Sequence, residues 1–179
     1  MTELSLTRLW AMRLGFALLA AVILFFRLLP LDTAPRSWAG PDLLLCFAAA
    51  WVLRRPEYVP ALLLAAIFLL ADLLLQRPPG LWAALALIGC EKLKSRARTL
   101  RDTGFAGEWF SVCLMVVIVT LAYRAALVLT LTEPPTLGLH LFAMVMTMLF
   151  YPLAVAATHG LMGVRKTVPG ELDAVGGRM

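Results

Sequence analysis

The groups able to do chemistry are few, and they stand almost alone among apolar neighbours. Asp42 heads the run LLLCFAAAWVL, and Asp72 lies within LLLAAIFLLADLLL. Arg27 follows an apolar stretch from Leu14 to Phe26, and Arg124 interrupts WFSVCLMVVIVTLAYRAALVLTL. An ionisable side chain in hydrocarbon costs several kcal/mol unless it pairs or reaches the interface. If the apolar runs alternate in direction, all four fall toward one side of the membrane, so pairing is open to them by depth. Arg27 reads as an arginine snorkelling to lipid phosphates. For Asp72 and Arg124 two readings compete: an ion pair or charge offered to a partner helix, and the local one, in which Asp72 caps or is hydrated and Arg124 snorkels to lipid phosphates.

Other chemistry finds little support. His140 and His159 are nineteen residues apart, about 28 Å along a helix, so they cannot share an ion. Cys46, Cys90 and Cys113 sit inside apolar runs without C-x-x-C spacing; neither a disulfide framework nor a zinc site is indicated. No metal or cofactor is expected. There is no Ser with a His and a carboxylate at a common depth, no HExxH, no paired intramembrane carboxylates and no Gly-rich phosphate loop, which points away from an enzyme. A lipid-modifying enzyme would need a cluster of polar residues at one headgroup level, and the sequence displays none. Met144, Met146 and Met148 read as adaptable packing. The pairs Ala17/Ala21 and Ala156/Gly160 have the small-xxx-small spacing that lets helices approach.

These residues are carried by a chain whose solvent must be lipid. Of 179 residues 61% are hydrophobic and 15% charged, and the mean hydropathy is +0.86. A soluble fold of that composition would expose large apolar patches. The net charge of +5 lies between apolar runs and forms no stripe able to follow a phosphate backbone, so nucleic-acid binding is not expected. A helix crossing about 30 Å of hydrocarbon needs roughly 20 apolar residues. Six spans are predicted: about Leu9–Leu29, Pro41–Arg54, Val59–Leu75, Gly80 to Glu91, Trp109–Leu131 and Leu137–Val164, the last with Pro152 inside it to kink it. The first run is long enough to span and has no convincing cleavage site, so it is expected to be retained. The transmembrane domain is thus 1–166, and the Gly-rich, mixed-charge stretch 167–179 is expected to be a disordered cytoplasmic tail.

Cytoplasmic loops are enriched in Lys and Arg. With the N-terminus inside, Arg8, Arg13, Arg54, Arg55, Lys92, Lys94, Arg96, Arg98, Arg101, Arg165, Lys166 and Arg178 fall on the cytoplasmic side, and only Arg36 and Arg77 on the other. Both termini are then cytoplasmic. Two spans are short: eleven apolar residues separate Asp42 from Arg54, and ten separate Gly80 from Glu91. Such helices either continue into their charged flanks or are sheltered by neighbours. EKLKSRARTLR contains no helix breaker, so the fourth can continue as a basic extension. Paired shortness can also mark a binding site at the bilayer midplane, but these two segments hold almost no polar groups.

The order Gly40-Pro41-Asp42-Leu43-Leu44-Leu45, Trp51, Arg55-Pro56-Glu57, Leu69-Leu70-Ala71-Asp72-Leu73-Leu74 and Gly80-Leu81-Trp82-Ala83-Ala84-Leu85-Ala86 resembles the bacterial rod-shape-determining membrane protein family MreD. The match covers about residues 40 to 90. It departs at Gln76-Arg77-Pro78-Pro79, where a small Ser/Gly-type turn is expected. The resemblance implies an all-α integral membrane protein, a single bundle of six transmembrane helices similar to the substrate-binding subunits of energy-coupling-factor (ECF) transporters. It implies a non-enzymatic subunit of the cell-elongation (Rod) complex that controls peptidoglycan synthesis and rod shape. Its partners would be MreC, RodA with its penicillin-binding transpeptidase directly or through MreC, and MreB filaments indirectly. A small, almost loopless protein offers partners mainly its lipid-facing walls. The alternative is an ECF-type vitamin-binding subunit, which shares size, span number and basic cytoplasmic side. The short outer loops Gln76–Gly80 and Thr132–Thr136 offer few polar groups to close over a solute, which favours the scaffold.

Overall fold

The computed structural model describes residues 2–29, 40–102, 104–132 and 136–162. These form α1 (Thr2–Leu28), α2 (Leu43–Arg54), a 3-10 turn (Pro56–Tyr58), α3 (Ala61–Leu74), α4 (Leu81–Asp102), α5 (Phe105–Leu129) and α6 (Leu137–Met162). No strand occurs among the described residues. Consecutive helices alternate in direction. The tail 167–179 and Arg36, Arg165, Lys166 and Arg178 of the charge pattern lie outside the described residues.

Three helices are long and apolar enough to cross a membrane: Leu6–Leu28, Phe105–Leu129 and Leu137–Gly160. The expected six helices are present, but α2 and α3 have only 12 and 14 residues, roughly 18 and 21 Å of helix. The shorter α2 is enclosed by the bundle. It packs against α1, α4 and α6, and from Leu44 to Arg54 every residue except Phe47 is buried. Its sequence suits a central rod, since Ala48, Ala49 and Ala50 let neighbouring helices close in. The fourth helix takes the other route and runs on through its charged flank to Asp102. The fifth begins at Phe105, earlier than expected, which brings Glu108 into its first turn.

Local chemistry sets the helix ends. The Asp42 carboxylate accepts the Leu45 amide at 3.2 Å and caps α2. Helix α3 closes with Arg77 N–H on the Asp72 carbonyl at 3.0 Å, which places Gln76 in the left-handed region at φ 53°. Helix α5 ends the same way, with Thr132 N–H on the Leu127 carbonyl at 3.0 Å and Leu131 at φ 53°. Glycine is the usual residue at this position. In α6, Pro152 has no N–H to give the Met148 carbonyl four residues back. The helix continues through it, and the Trp109 indole N–H of α5 donates to that carbonyl at 3.0 Å.

Polarity is distributed inside out. Leu6, Trp10, Leu14, Leu18 and Val22 form an exposed ridge at four-residue spacing along α1, and Leu141, Val145, Leu149 and Leu153 do so along α6. Arg54, Asp72, Glu108, Thr120, Thr147 and Thr158 are buried. Water would reverse that arrangement; in hydrocarbon, apolar walls face out and polar groups must find partners within the protein. This is a membrane protein.

Candidate functional site

The helix ends meet around a cavity of about 790 Å³ at one end of the bundle. It is built from the C-terminal end of α1, the head of α2, the α3–α4 turn, the C-terminal half of α5 and the start of α6. Its charged lining residues are Arg27, Asp42 and Arg77, joined by Gln76, Thr120, Tyr123, His140 and Thr147. Leucines, Phe26, Val116 and Met144 supply much of the remaining wall.

The α3–α4 corner positions one side of it. Asp72 is 0% exposed; its Oδ2 accepts the Gly80 amide at 3.1 Å and the Ala83 amide at 3.0 Å. These are amides at the start of α4, which have no partner within their own helix, and a carboxylate there also meets the positive end of the helix dipole. Gly80, at φ 84°, makes the turn that aims its N–H back at α3. Asp72 is therefore a cap reaching across two helices, and its carboxylate is engaged by backbone amides where an ion pair with Arg124 was one expectation. The fixed corner carries Arg77 and Trp82 to the cavity. The Arg77 guanidinium lies over the Trp82 ring, 5.2 Å from its centroid. Trp82 meets Tyr123 edge-on at 5.2 Å, and Tyr123 stacks on His140 at 6.1 Å, so one aromatic column crosses α4, α5 and α6.

The opposite side is the Pro41–Asp42 step. Arg27 Nη2 donates to the Pro41 carbonyl at 2.8 Å, and Arg77 Nη1 lies 3.8 Å from Asp42 Oδ2. Two guanidiniums thus converge on one dipeptide. The Asp42 amide donates to the Thr147 hydroxyl at 2.9 Å, and that hydroxyl donates to the Ala143 carbonyl at 2.7 Å. Cys46 Sγ lies 3.2 Å from the Thr147 carbonyl, locking α2 to α6. The Thr147 hydroxyl, engaged twice, holds the head of α2 on α6.

Of the four residues singled out in the sequence, Arg27 and Asp42 line the cavity. Asp72 is buried behind it and holds its corner. Arg124 follows Tyr123 on α5 and is half-buried outside the lining. His140 lines the cavity, whereas His159 is exposed toward the other end of α6. The sequence shows no polar cluster at one headgroup level, but the structure gathers one, from the end of α1, the step before α2, the α3–α4 turn, the C-terminal half of α5 and the start of α6. Arg27, Arg77, Tyr123 and His140 come from the end of α1, the α3–α4 turn, the C-terminal half of α5 and the start of α6, and nothing in their spacing announces their meeting.

A second polar group was also missed. Arg54, placed by the charge pattern in a cytoplasmic loop, is 6% exposed, with Nη1 2.7 Å from Glu108 Oε1. Glu108 is 1% exposed and accepts the Tyr151 hydroxyl at 2.6 Å. This cluster pins α2, α5 and α6 together away from the cavity. The available signal was two opposite charges at the edges of apolar runs, which does not say that they pair. Among the described residues no group of His, Cys, Asp and Glu could hold a metal ion. Compared with protein-family models, curated proteins and solved structures, the chain matches none.

Proposed function

We propose that this chain is a non-enzymatic subunit of the bacterial cell-elongation machinery in the inner membrane, of the MreD kind, whose work is to hold other membrane proteins. In this reading all six helices cross the membrane, α2 and α3 as short spans within the bundle, with both termini cytoplasmic and the basic end of α4 among anionic headgroups. MreC is the direct partner, bound through its single span. RodA and its transpeptidase are reached directly or through MreC, and MreB filaments indirectly.

The observation that carries the reading is the joining of its two most distinctive motifs. The acid of Leu69-Leu70-Ala71-Asp72-Leu73-Leu74 bonds the amides of Gly80 and Ala83 in Gly80-Leu81-Trp82-Ala83. An acid in the third helix and a glycine at the head of the fourth thereby have one physical reason to occur together. The exposed ridges of α1 and α6 add apolar walls broad enough for other transmembrane helices. Co-expression with an MreC reduced to its transmembrane span tests the interface. The span is expected to co-purify in mild detergent; its loss, while full-length MreC is retained, would place the contact outside the membrane.

A second reading, a solute-binding subunit of an ECF-type transporter, draws on the cavity itself. A water-soluble vitamin that raises the melting temperature of the purified chain saturably would favour it, because binding to the folded state stabilises that state by mass action.

A further inference from the structure

Among the described residues, the arginines of the cavity have more donor capacity than their neighbours use. An arginine offers five N–H donors, and the Arg77 side chain, 26% exposed, makes one contact of 3.8 Å to Asp42 and lies on Trp82. Arg27 donates to the Pro41 carbonyl through Nη2. Between them stands one carboxylate, Asp42, with Oδ1 already accepting the Leu45 amide. Among the described residues two guanidiniums share one partly engaged carboxylate at the cavity wall, Asp72 behind it being turned to the Gly80 and Ala83 amides, so several guanidinium N–H donors meet no protein acceptor, an arrangement that is costly away from water. About 790 Å³ is far more than a small anion fills, and it lies within the roughly 300–1,000 Å³ of ligand pockets. The rest of the lining is largely apolar, with Phe26, Leu45, Val116, Leu139 and Met144 among it.

We infer that the cavity binds an anionic amphiphile, with a phosphate-type head between Arg27 and Arg77 and an apolar body along Leu45, Val116 and Met144. A guanidinium accommodates two oxygens of such a head in parallel hydrogen bonds. The apolar body fills wall that a small anion would leave in contact with water. The site involves neither the exposed ridges nor the Arg54–Glu108–Tyr151 cluster, so it stands independently of the partner-binding reading.

The test uses the purified full chain in an uncharged detergent, titrated with dodecyl phosphate, inorganic phosphate or dodecanol while its melting temperature is followed. Dodecyl phosphate is expected to raise it saturably by several degrees, with the other two giving no saturable rise over the same range. Arg77→Gln and Arg27→Gln are each expected to weaken the apparent affinity tenfold or more, whereas Arg55→Gln at the other end leaves it unchanged. Ala143→Leu, which narrows the cavity and keeps both arginines, supplies a control should the arginine variants fail to fold, and is expected to weaken binding likewise. An equal saturable response to inorganic phosphate would show a site for free anions, and an equal response to dodecanol a merely apolar one. Either result overturns the inference, as does unchanged affinity in Ala143→Leu or in a folded Arg77→Gln protein.

Discussion

Replacing Asp72 with alanine tests the link between the fold and the site most directly. The carboxylate is fully buried and holds two α4 amides, Gly80 at 3.1 Å and Ala83 at 3.0 Å. Hydrogen bonds to a charged group contribute about 1.5–3 kcal/mol each, and loss of a helix cap costs about 0.5–2 kcal/mol. The two bonds share one oxygen and are not additive, so the net loss in Asp72→Ala is about 2–4 kcal/mol. At roughly 2–4 °C per kcal/mol for a chain of this length, the melting temperature should fall by roughly 4–16 °C. Asp72→Asn keeps an oxygen of the same shape in place and should lose less than half as much. The assay is the survival of the monodisperse chromatographic peak after heating in detergent. An alanine variant within about 1 °C of the parent, or an asparagine variant as damaged as alanine, would refute the capping argument. Exchanging charges, Asp72→Arg with Arg124→Asp, is not expected to recover stability, because arginine has no acceptor for the two amides.

In the Arg54–Glu108–Tyr151 cluster, Glu108→Ala leaves a buried guanidinium without its carboxylate and should cost about 3–5 kcal/mol, read as loss of the folded peak. Tyr151→Phe should cost about 1–2 kcal/mol by the same assay. Trp109→Phe removes the donor to the Met148 carbonyl and should cost about 1 kcal/mol. The loss should shrink in a Pro152→Ala background, where residue 152 supplies its own N–H, so a double-mutant cycle gives a clear coupling. Gly89 lets α4 approach α5: an added Cβ would lie 2.9 Å from Met115 Sδ and 3.1 Å from Val119 Cγ2. Gly89→Ala should be destabilising by about 1 kcal/mol, since the stiff, buried Val119 must give way as well as Met115 and overpacking of about 1–3 kcal/mol outweighs the roughly 1 kcal/mol that alanine gains in helix propensity. Gly89→Leu should prevent folding, visible as aggregation on size exclusion. Gln76→Gly relieves a left-handed non-glycine residue and should raise the melting temperature by roughly 2 °C.

The chain by itself determined everything that depends on neighbours in sequence. Composition identified lipid as the solvent, and apolar run length with Pro and Gly punctuation located six helices. The unbroken EKLKSRARTLR carried α4 into its basic extension, and Asp42 marked the head of α2. Even the departure at Gln76 has a local meaning, since that residue takes the conformation in which a glycine is easiest. Tertiary structure decided which distant groups meet. The Arg54–Glu108, Glu108–Tyr151 and Asp42–Thr147 contacts join residues 54, 43 and 105 positions apart, and no local period encodes such separations. Only packing could surround α2, whose twelve residues are buried along nearly their whole length. Only packing could bring side chains of α1, the α3–α4 turn, α5 and α6 to one cavity. Hydrophobic periodicity specifies where a chain becomes helical and which solvent its walls suit, but a buried charge selects its partner through three-dimensional proximity, which the order of residues along one helix does not contain.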